Sequence, residues 1–402
     1  MNTFIKRAAL TITYAGLLSS GAANADDLKL GALYPFSGGL ALLGDESFRG
    51  IELAVEERNA AGGINGQKIV LVKGDAVDAN QAVGEARRLI SVDNVKAVFG
   101  SYASGVSLAA TQVTELAGVP YFELGAVADS VTTRGYKYVF RSNATAKAFA
   151  AGTLHAVTKV VAPALGMDAK ALRVAIIYED GPYGTMLSGF QKAEAKKLGL
   201  NVVEELAYPA QSVDLSALVL RLKGAKADVV LQTSYQNDTI LFLRKAQSSG
   251  FKPKAVIGAG GGYSLSDTAK VLGGTIDGAF DVDFPQASMK ESGAPGLGAF
   301  VKLYTARYKA APRSGHSLVN YAGANDFLDM LAAVKSTDKD KIRAGVMAMN
   351  RPIGSNAAGW GAKYGEDGQN TLAMTNLMQW QNGKLMTVFP PEVANAAVVI
   401  AK

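Results

Sequence analysis

The sequence predicts an α/β protein with two doubly wound lobes, each built on a mainly parallel sheet. Short apolar strands alternate with helical patterns, short loops connect them, and the same alternation begins again near Asn143. Strands that alternate with helices favour parallel sheets covered on both faces. The chain has 402 residues, which is long for one hydrophobic core, so two lobes are expected.

The first βαβ unit begins at Leu28 with alternating apolar residues. A loop rich in glycine, proline and serine follows at 35–44, and apolar residues at helical spacing resume at Phe48. Turn residues at 61–66 end this helix before the next apolar run, 69–72. Because a parallel crossover places such loops at the carboxyl ends of strands, where ligands bind, loop 35–44 is the first candidate binding surface.

The remaining elements follow in the same order. The first half adds predicted strands at 95–99, 120–124 and 138–141 and helices at 79–91 and 106–117. The second half begins with a long helix and adds strands at 174–178, 202–208, 228–232 and 255–257 and helices at 185–198, 215–223 and up to 250. The last part predicts a strand at 275–284, helices at 296–310, 316–336 and 339–349, and a hairpin, 370–381 and 384–389, with an Asn-Gly turn.

Residues 1–25 have the form of a secretory signal peptide. Two basic residues precede an apolar run at 8–18, and the small residues that follow end in an A-x-A cleavage site before Asp26. We expect cleavage after Ala25 and a soluble periplasmic protein. The alternative is a membrane anchor, but the run is shorter than the roughly 20 apolar residues of a spanning helix.

Composition and motifs argue against several classes of protein. The 41 basic and 35 acidic residues are scattered, so nucleic acid is not an expected partner. The chain has no cysteine, which excludes disulfides, thiolate chemistry and cysteine-based zinc sites. His155 and His316 lack metal-binding or triad spacing, and we interpret them as ordinary surface or packed residues. The glycine loop at 258–262 lacks the dinucleotide-binding spacing, and no phosphate-binding loop occurs. We expect no cofactor, no bound metal and no enzymatic activity.

Five aromatic residues fall in predicted loops that directly follow strands: Phe36, Tyr102, Tyr183, Tyr235 and Tyr263. A ring in such a loop gains little from the core but can cover a ligand. One such ring more often anchors its loop than contacts a ligand. Five at equivalent places in two lobes favour a shared cleft.

Several segments resemble the periplasmic solute-binding proteins of branched-chain amino acid type that serve ATP-driven importers. They are LGALYPFSGGLALLGDESFRGIELAVEERNAAGGINGQKI, VKAVFGSYASG, GVPYFELGAVADS, RVAIIYEDGPYG and YGEDGQN. The resemblance covers essentially the whole mature chain. It implies the type I periplasmic binding fold, two lobes joined by a three-crossing hinge. Carried over, the first lobe is 26–142 plus 284–355 and the second is 143–283 plus 356–402.

The same resemblance assigns ligand contacts to loops that the strand pattern had already placed at strand ends. The residues are Leu42, Leu43, Tyr102, Ser104, Gly125, Ala126, Val127, Tyr183, Tyr235 and Gly261. Both lines of reasoning therefore predict a binding cleft built from these loops.

Three positions depart from the amino-acid binders of the family. Those proteins commonly hold the α-carboxylate with a hydroxyl where this chain has Val127. They commonly pair the α-ammonium with an acidic residue in the loop that here reads glycine at 260–262, and a tyrosine often stands where this chain has leucine at 42–43. A buried ammonium without its carboxylate is costly, so an ordinary aliphatic amino acid is not the expected ligand.

Two acidic residues are candidate replacements for the missing acid. Glu123 ends an apolar strand at the predicted cleft, and both ligand contact and a structural role, such as pairing with Arg141, stay open. Asp281 and Asp283 alternate, so both face one way, and either ligand contact or a salt bridge fits them. If Glu123 reaches the ligand, a cationic or multiply hydroxylated solute is implied, because a desolvated carboxylate needs donors. The three cleft tyrosines suit a cation or a planar ring.

We therefore predict a periplasmic solute-binding component of an ABC importer that closes by hinge motion around a small polar or aromatic organic solute or amino-acid-like compound. Its expected partners are that small molecule and an inner-membrane permease, and we expect a monomer. One alternative is a sensing protein that presents solute to a receptor, and another is a binder of ordinary branched-chain amino acids. An enzyme with an acid/base site at Glu123 is a third, disfavoured because no second catalytic partner stands at a definable spacing.

Overall fold

Two separate sheets organise the protein, for which a computed structural model describes residues 27–400. The strands of the first sheet are β1 (Leu28–Tyr34), β2 (Ile69–Asp75), β3 (Val98–Gly100), β4 (Tyr121–Glu123) and β5 (Val139–Arg141). They lie in the order β2-β1-β3-β4-β5, and every neighbouring pair is parallel. The predicted signal peptide and its cleavage after Ala25 lie outside the described residues.

The second sheet begins with five parallel strands and is completed by a late hairpin. The parallel strands are β6 (Arg173–Glu179), β7 (Asn201–Tyr208), β8 (Val229–Thr233), β9 (Ala255–Gly258) and β10 (Phe280–Asp283). After a small ribbon, β11 (Asn350–Arg351) and β12 (Ala362–Lys363), come β13 (Asn376–Gln381) and β14 (Lys384–Phe389). The order is β14-β13-β10-β9-β8-β6-β7, with β13 antiparallel to β10. The prediction of two mainly parallel sheets is confirmed.

The helices lie mostly between consecutive strands. They are α1 (Ala41–Ala60), α2 (Ala79–Ser91), α3 (Ser104–Ala117), α4 (Ala146–His155), α5 (Ala162–Ala164), α6 (Pro182–Leu198), α7 (Ser216–Gly224), α8 (Gln236–Ser248), α9 (Ser266–Leu272), α10 (Leu297–Tyr308), α11 (Gly315–Val334) and α12 (Lys339–Met347). A π-helical turn, Ala156–Val161, joins α4 to α5. Short 3-10 turns occur at Gly38–Leu40, Asp129–Val131, Ala169–Ala171, Gly261–Tyr263, Gly273–Ile276 and Glu291–Gly293.

Two strands predicted in the last part of the chain have about half or less of their predicted length in the structure. The strand predicted at 275–284 begins only at Phe280, because a 3-10 turn ends at Ile276 and Asp277 accepts a hydrogen bond from the amide of Gly383 at 2.8 Å. The first strand of the late hairpin begins at Asn376 rather than at residue 370. The side chain of Asn370 instead donates to the carbonyl oxygens of Ser142 and Gly361, which keeps this segment out of the sheet.

Chain that follows the second sheet returns to the first. Helix α11 packs along α1, and the Tyr34 hydroxyl of β1 donates to Asn320 of α11 at 2.6 Å. Gly50 permits this close approach, since a β-carbon there would lie 2.2 Å from the carbonyl oxygen of Ser317. The chain thus passes between the sheets after β5, after β10 and again before β13. Within residues 27–400, no helix combines the length and the apolar character needed to span a membrane.

Candidate ligand-binding site

A cavity of at most about 280 Å³ lies where loops from the two sheets meet. Most of its lining residues directly follow strands β3, β4, β6, β8, β9 and β10, and two come from helices α4 and α11. The lining residues are Tyr102, Ser104, Gly125, Val127, Phe149, Tyr183, Tyr235, Ala259, Gly260, Gly261, Asp283, Phe284 and His316. The carboxyl ends of parallel strands are the usual ligand-binding edge of such sheets.

The structure brings together seven of the twelve predicted ligand-binding residues at this cavity. They are Tyr102, Ser104, Gly125, Val127, Tyr183, Tyr235 and Gly261. The ring centroid of Tyr235 lies 6.0 Å from that of Tyr102 and 5.4 Å from that of Tyr183. The Tyr183 hydroxyl donates to the carbonyl oxygen of Ala259. Tyr102 comes from the first sheet and the other two tyrosines from the second, so the rings form an aromatic wall across the cleft.

The structure places the predicted contact residues Leu42 and Leu43 away from the cavity. Helix α1 starts at Ala41, which turns Leu43 into the core of the first sheet, where it is 1% exposed, and leaves Leu42 on the surface. Neither leucine is among the residues that line the cavity.

Two of the five loop aromatics, Phe36 and Tyr263, make contacts within their own part of the protein and do not line the cavity. Phe36 packs edge-on against Phe48 at 5.2 Å, and the buried Tyr263 donates to Gln232 at 2.6 Å. Both therefore act as loop anchors rather than as cleft residues.

Glu123 holds the binding loops from behind and does not line the cavity. Its Oε1 accepts hydrogen bonds from the backbone amides of Ser101, Gly125 and Ala126 at 2.9, 2.8 and 2.7 Å. Its Oε2 accepts from the hydroxyl of Ser107. Burial raises the pKa of Glu123, while these hydrogen bonds lower it. The predicted ligand contact is corrected to a structural role.

Arg141 holds the same loop through its carbonyl groups. It donates to the carbonyl oxygens of Ala126 and Ala128 at 3.3 and 2.7 Å and to Gln369 at 2.5 Å. The suggested direct pair with Glu123 is therefore absent from its hydrogen bonds. Burial lowers the pKa of Arg141 to about 10, so it stays charged at neutral pH. With its amide and carbonyl both engaged, Ala126 is corrected from a ligand contact to part of this support.

The acidic side of the cavity comes from Asp283. Asp281 and Asp283 are two residues apart in β10 and therefore share a face. Oδ1 of Asp281 accepts from the amide of Gly260 at 2.8 Å, and Oδ1 of Asp283 accepts from that of Phe284 at 2.6 Å. The Oδ2 atoms of both are buried without a hydrogen-bond partner among the described residues. Only Asp283 lines the cavity, so the predicted direct contact from Asp281 is corrected to a place behind it.

Both carboxyl groups of this pair are harder to ionise than an exposed aspartate. Burial raises the pKa of Asp281 and of Asp283, and the charge of Asp283 raises that of Asp281 further. The nearby hydroxyl of Ser264 lowers the pKa of Asp283. Because that hydroxyl donates its hydrogen to the carbonyl oxygen of Gly261 at 3.1 Å, Oδ2 of Asp283 has no donor among the described residues.

Sequence reasoning missed Phe149, Phe284 and His316. His316 is buried near the start of α11, where its Nδ1 lies 3.0 Å from the hydroxyl of Ser314, and its ring centroid is 5.1 Å from that of Tyr102. Burial lowers its pKa to about 3, so the imidazole is neutral at physiological pH. No local motif marks these residues, because distant segments bring them to the cleft. Within residues 27–400 no cluster of histidine and acidic residues is suited to hold a metal ion.

Comparison with known proteins places the chain in a family. The model of the periplasmic binding protein family matches residues 27–384. The chain is 53% identical over 386 residues to a Leu/Ile/Val-binding protein homolog 7 of Brucella melitensis, covering 96% of this chain and 97% of that protein. It is also 53% identical over 377 residues to a Leu/Ile/Val-binding protein homolog 8 of Brucella abortus, covering 94% of each.

Solved structures share the fold at lower identity. The leucine-binding protein LivK of Thermotoga maritima is 23% identical with a TM-score of 0.80, covering 92% of this chain and 99% of that one. A solute-binding protein of R. palustris, solved with 4-hydroxybenzoate, is 22% identical with a TM-score of 0.78, covering 90% and 96%. The family model and the relatives agree: the chain belongs to the periplasmic binding protein family, together with the Leu/Ile/Val-binding protein homologs.

Proposed function

We propose that this protein captures a small polar or aromatic organic solute, or an amino-acid-like compound, in the periplasm and delivers it to the permease of an ABC importer. The observation that carries the proposal is the composition of the cavity wall, since Tyr102 comes from the first sheet and Tyr183 and Asp283 from the second. A ligand that touches both walls stabilises the closed form and shifts the population toward it.

Closure would occur at the chain crossings, with lobes 26–142 plus 284–355 and 143–283 plus 356–402. Two of the crossings are joined by backbone hydrogen bonds, from Arg141 to the carbonyl of Gly368 at 2.9 Å and from Asn370 to the carbonyl of Arg141 at 2.8 Å. Gln369 adds a side-chain bond to the carbonyl of Asn143 at 2.8 Å. These bonds support a compact hinge in which small backbone changes rotate one lobe against the other.

The names of similar proteins indicate which solutes to compare first. The relatives of 53% identity carry Leu/Ile/Val-binding names, which makes branched-chain amino acids the first compounds to compare. Among proteins of the same fold, one was solved with isoleucine and another with 4-hydroxybenzoate. The fold therefore accommodates different solutes, and the side chains of the cavity decide between them.

A thermal-shift screen tests the proposal. Purified mature protein would be heated with amino acids, amines, polyols and aromatic acids, because a ligand of the folded state stabilises it by about 2.7 kcal/mol at 100 times Kd. We expect at least one compound to raise the Tm and to be recovered unchanged. Conversion of that compound into a product would contradict a purely binding function, and a screen without any stabilising compound would count against solute binding.

A further inference from the structure

Two acidic side chains, one in the cavity wall and one behind it, each have an acceptor oxygen without a donor among the described residues. Oδ2 of Asp283 and Oδ2 of Asp281 are both buried and unpartnered, and the two residues are at most 1% exposed. A buried acceptor without a donor costs free energy, and a buried carboxylate costs more. A ligand that brings a charged donor to this place would remove the cost.

The part of the chain that the structure describes supplies no positive charge to the cavity wall. Among the described residues, no lysine or arginine lines the cavity. His316 lines it but is neutral at physiological pH. Arg141, the buried cation of the hinge region, directs its hydrogen bonds to Gln369 and to backbone carbonyls. The balance of charge in the cavity is therefore negative whenever Asp283 is ionised.

Several backbone amides near the cleft are already occupied by buried carboxylates. Glu123 takes the amides of Gly125 and Ala126 in the loop after β4. Glu179 takes the amides of Gly181 and Gly184 after β6, at 2.7 and 2.6 Å. These donors are unavailable to a carboxylate on the ligand, and the two glutamates add to the negative field.

Aromatic rings surround the acidic side. Phe149 and Phe284 line the cavity, and their rings pack edge to face with centroids 5.3 Å apart. Tyr183 and Tyr235 also line the cavity. Ring faces attract organic cations and exclude water from them. An ammonium group on a small organic skeleton fits both the aromatic wall and the carboxylate.

We infer that the solute is an organic amine, whose ammonium group is bound by Asp283 with Asp281 directly behind it. This inference rests on the proposed function and assigns the class of ligand to the same cleft. A free carboxylate on the solute is not required, because the cavity wall offers no cation to pair with it. An uncharged solute with hydroxyl groups would donate to Asp283 without compensating its charge, and a purely anionic solute would be repelled by it.

Matched compounds test the inference. Each set shares one carbon skeleton and carries only an ammonium, only a carboxylate, or both, such as 3-methylbutylamine, 4-methylpentanoate and leucine, or phenethylamine, 3-phenylpropionate and phenylalanine. Thermal shift and calorimetry would be run on the mature protein and on Asp283→Asn. We expect binding only by compounds with an ammonium, and a loss of about 30-fold or more in affinity in Asp283→Asn, since the variant removes one partner of a buried charge pair.

Asp238→Asn is the matched control. Asp238 is a buried aspartate in the first turn of α8 that accepts from the Tyr208 hydroxyl at 2.8 Å and does not line the cavity. This variant should keep the wild-type affinity. Binding of a carboxylate-only or neutral compound, with no response to ammonium compounds, would overturn the amine assignment while leaving solute binding intact. Amine binding that is unchanged in Asp283→Asn would overturn the role of Asp283.

Discussion

Asp283 occupies the space into which a side chain at Gly260 would point. A β-carbon built on Gly260 would lie 3.0 Å from Oδ1 of Asp283, and the backbone of Gly260 has a φ of 79°, in the left-handed region. The loop after β9 and the strand β10 therefore cannot both place a side chain here without a shift. In our proposal, the neighbouring strand supplies the acid that loop 260–262 lacks.

Gly260→Ala should weaken solute binding as well as stability. The added methyl displaces Asp283, and the Gly260 backbone, with φ 79° and ψ −149°, lies close to a region that essentially only glycine adopts. Gly250→Ala is the control, because Gly250 has a φ of 68° and no heavy atom within 4 Å of an added β-carbon. We expect both variants to lose Tm but only Gly260→Ala to lose affinity in calorimetry. Equal affinities would contradict the close packing of Gly260 on Asp283.

Binding of an amine should strengthen as the pH rises from about 5 to about 8. The pKa values of Asp281 and Asp283 are raised by burial, so ionisation of the pair continues above the ordinary range, and ammonium binding requires the ionised form. The other titratable groups near the pair are Tyr102, Tyr183 and Tyr263, whose pKa values are also raised, and His316, which stays neutral. Calorimetry across this range measures the effect.

Asp281→Asn should leave that rise in affinity in the same pH range, because the charge of Asp283 raises the pKa of Asp281, so Asp281 is still protonated while Asp283 ionises. The same titration of Asp238→Asn should match the wild type. An affinity that is constant from about pH 5 to about pH 8 in the wild type would contradict a carboxylate contact.

Amine binding strengthens as the pH rises, but the free energy of unfolding of the unliganded protein should fall over the same range because Asp283 ionises. A pKa above the unfolded value of about 3.9 means that the folded state binds more protons than the unfolded state in the range between the two. The stability associated with this group is present at low pH and is lost as the pH rises through the folded-state pKa. The free energy of unfolding of Asp283→Asn should therefore rise relative to the wild type from about pH 4 upward. Urea titrations at several pH values would show a constant difference if Asp283 were solvated.

Glu123→Gln should destabilise the first sheet by about 2 kcal/mol, because an amide cannot replace a carboxylate that accepts from several backbone amides. The variant would also place an NH₂ group among N–H donors. Glu194→Gln on the surface of α6 serves as the control and should be neutral. Urea denaturation measures both, and a Glu123→Gln variant of wild-type stability would contradict the structural role.

The sequence predicted the architecture well and the orientation of acidic side chains poorly. Periodicity of apolar residues is local, so the strands, the helices and the loops with Tyr102, Tyr183 and Tyr235 could be predicted from it. Glu123 and Asp283 both lie at the end of a parallel strand, yet one points at loop amides and the other at the cavity. That difference depends on tertiary packing, as does the approach of His316 from a helix far along the chain.

The most direct test is a crystal structure of the protein with the amine that gives the largest thermal shift. We expect its ammonium nitrogen within about 3.2 Å of Oδ2 of Asp283. The skeleton should lie between Tyr102 from the first sheet and Tyr183 from the second. A solute bound with its amine away from Asp283, or outside this cleft, would contradict the account.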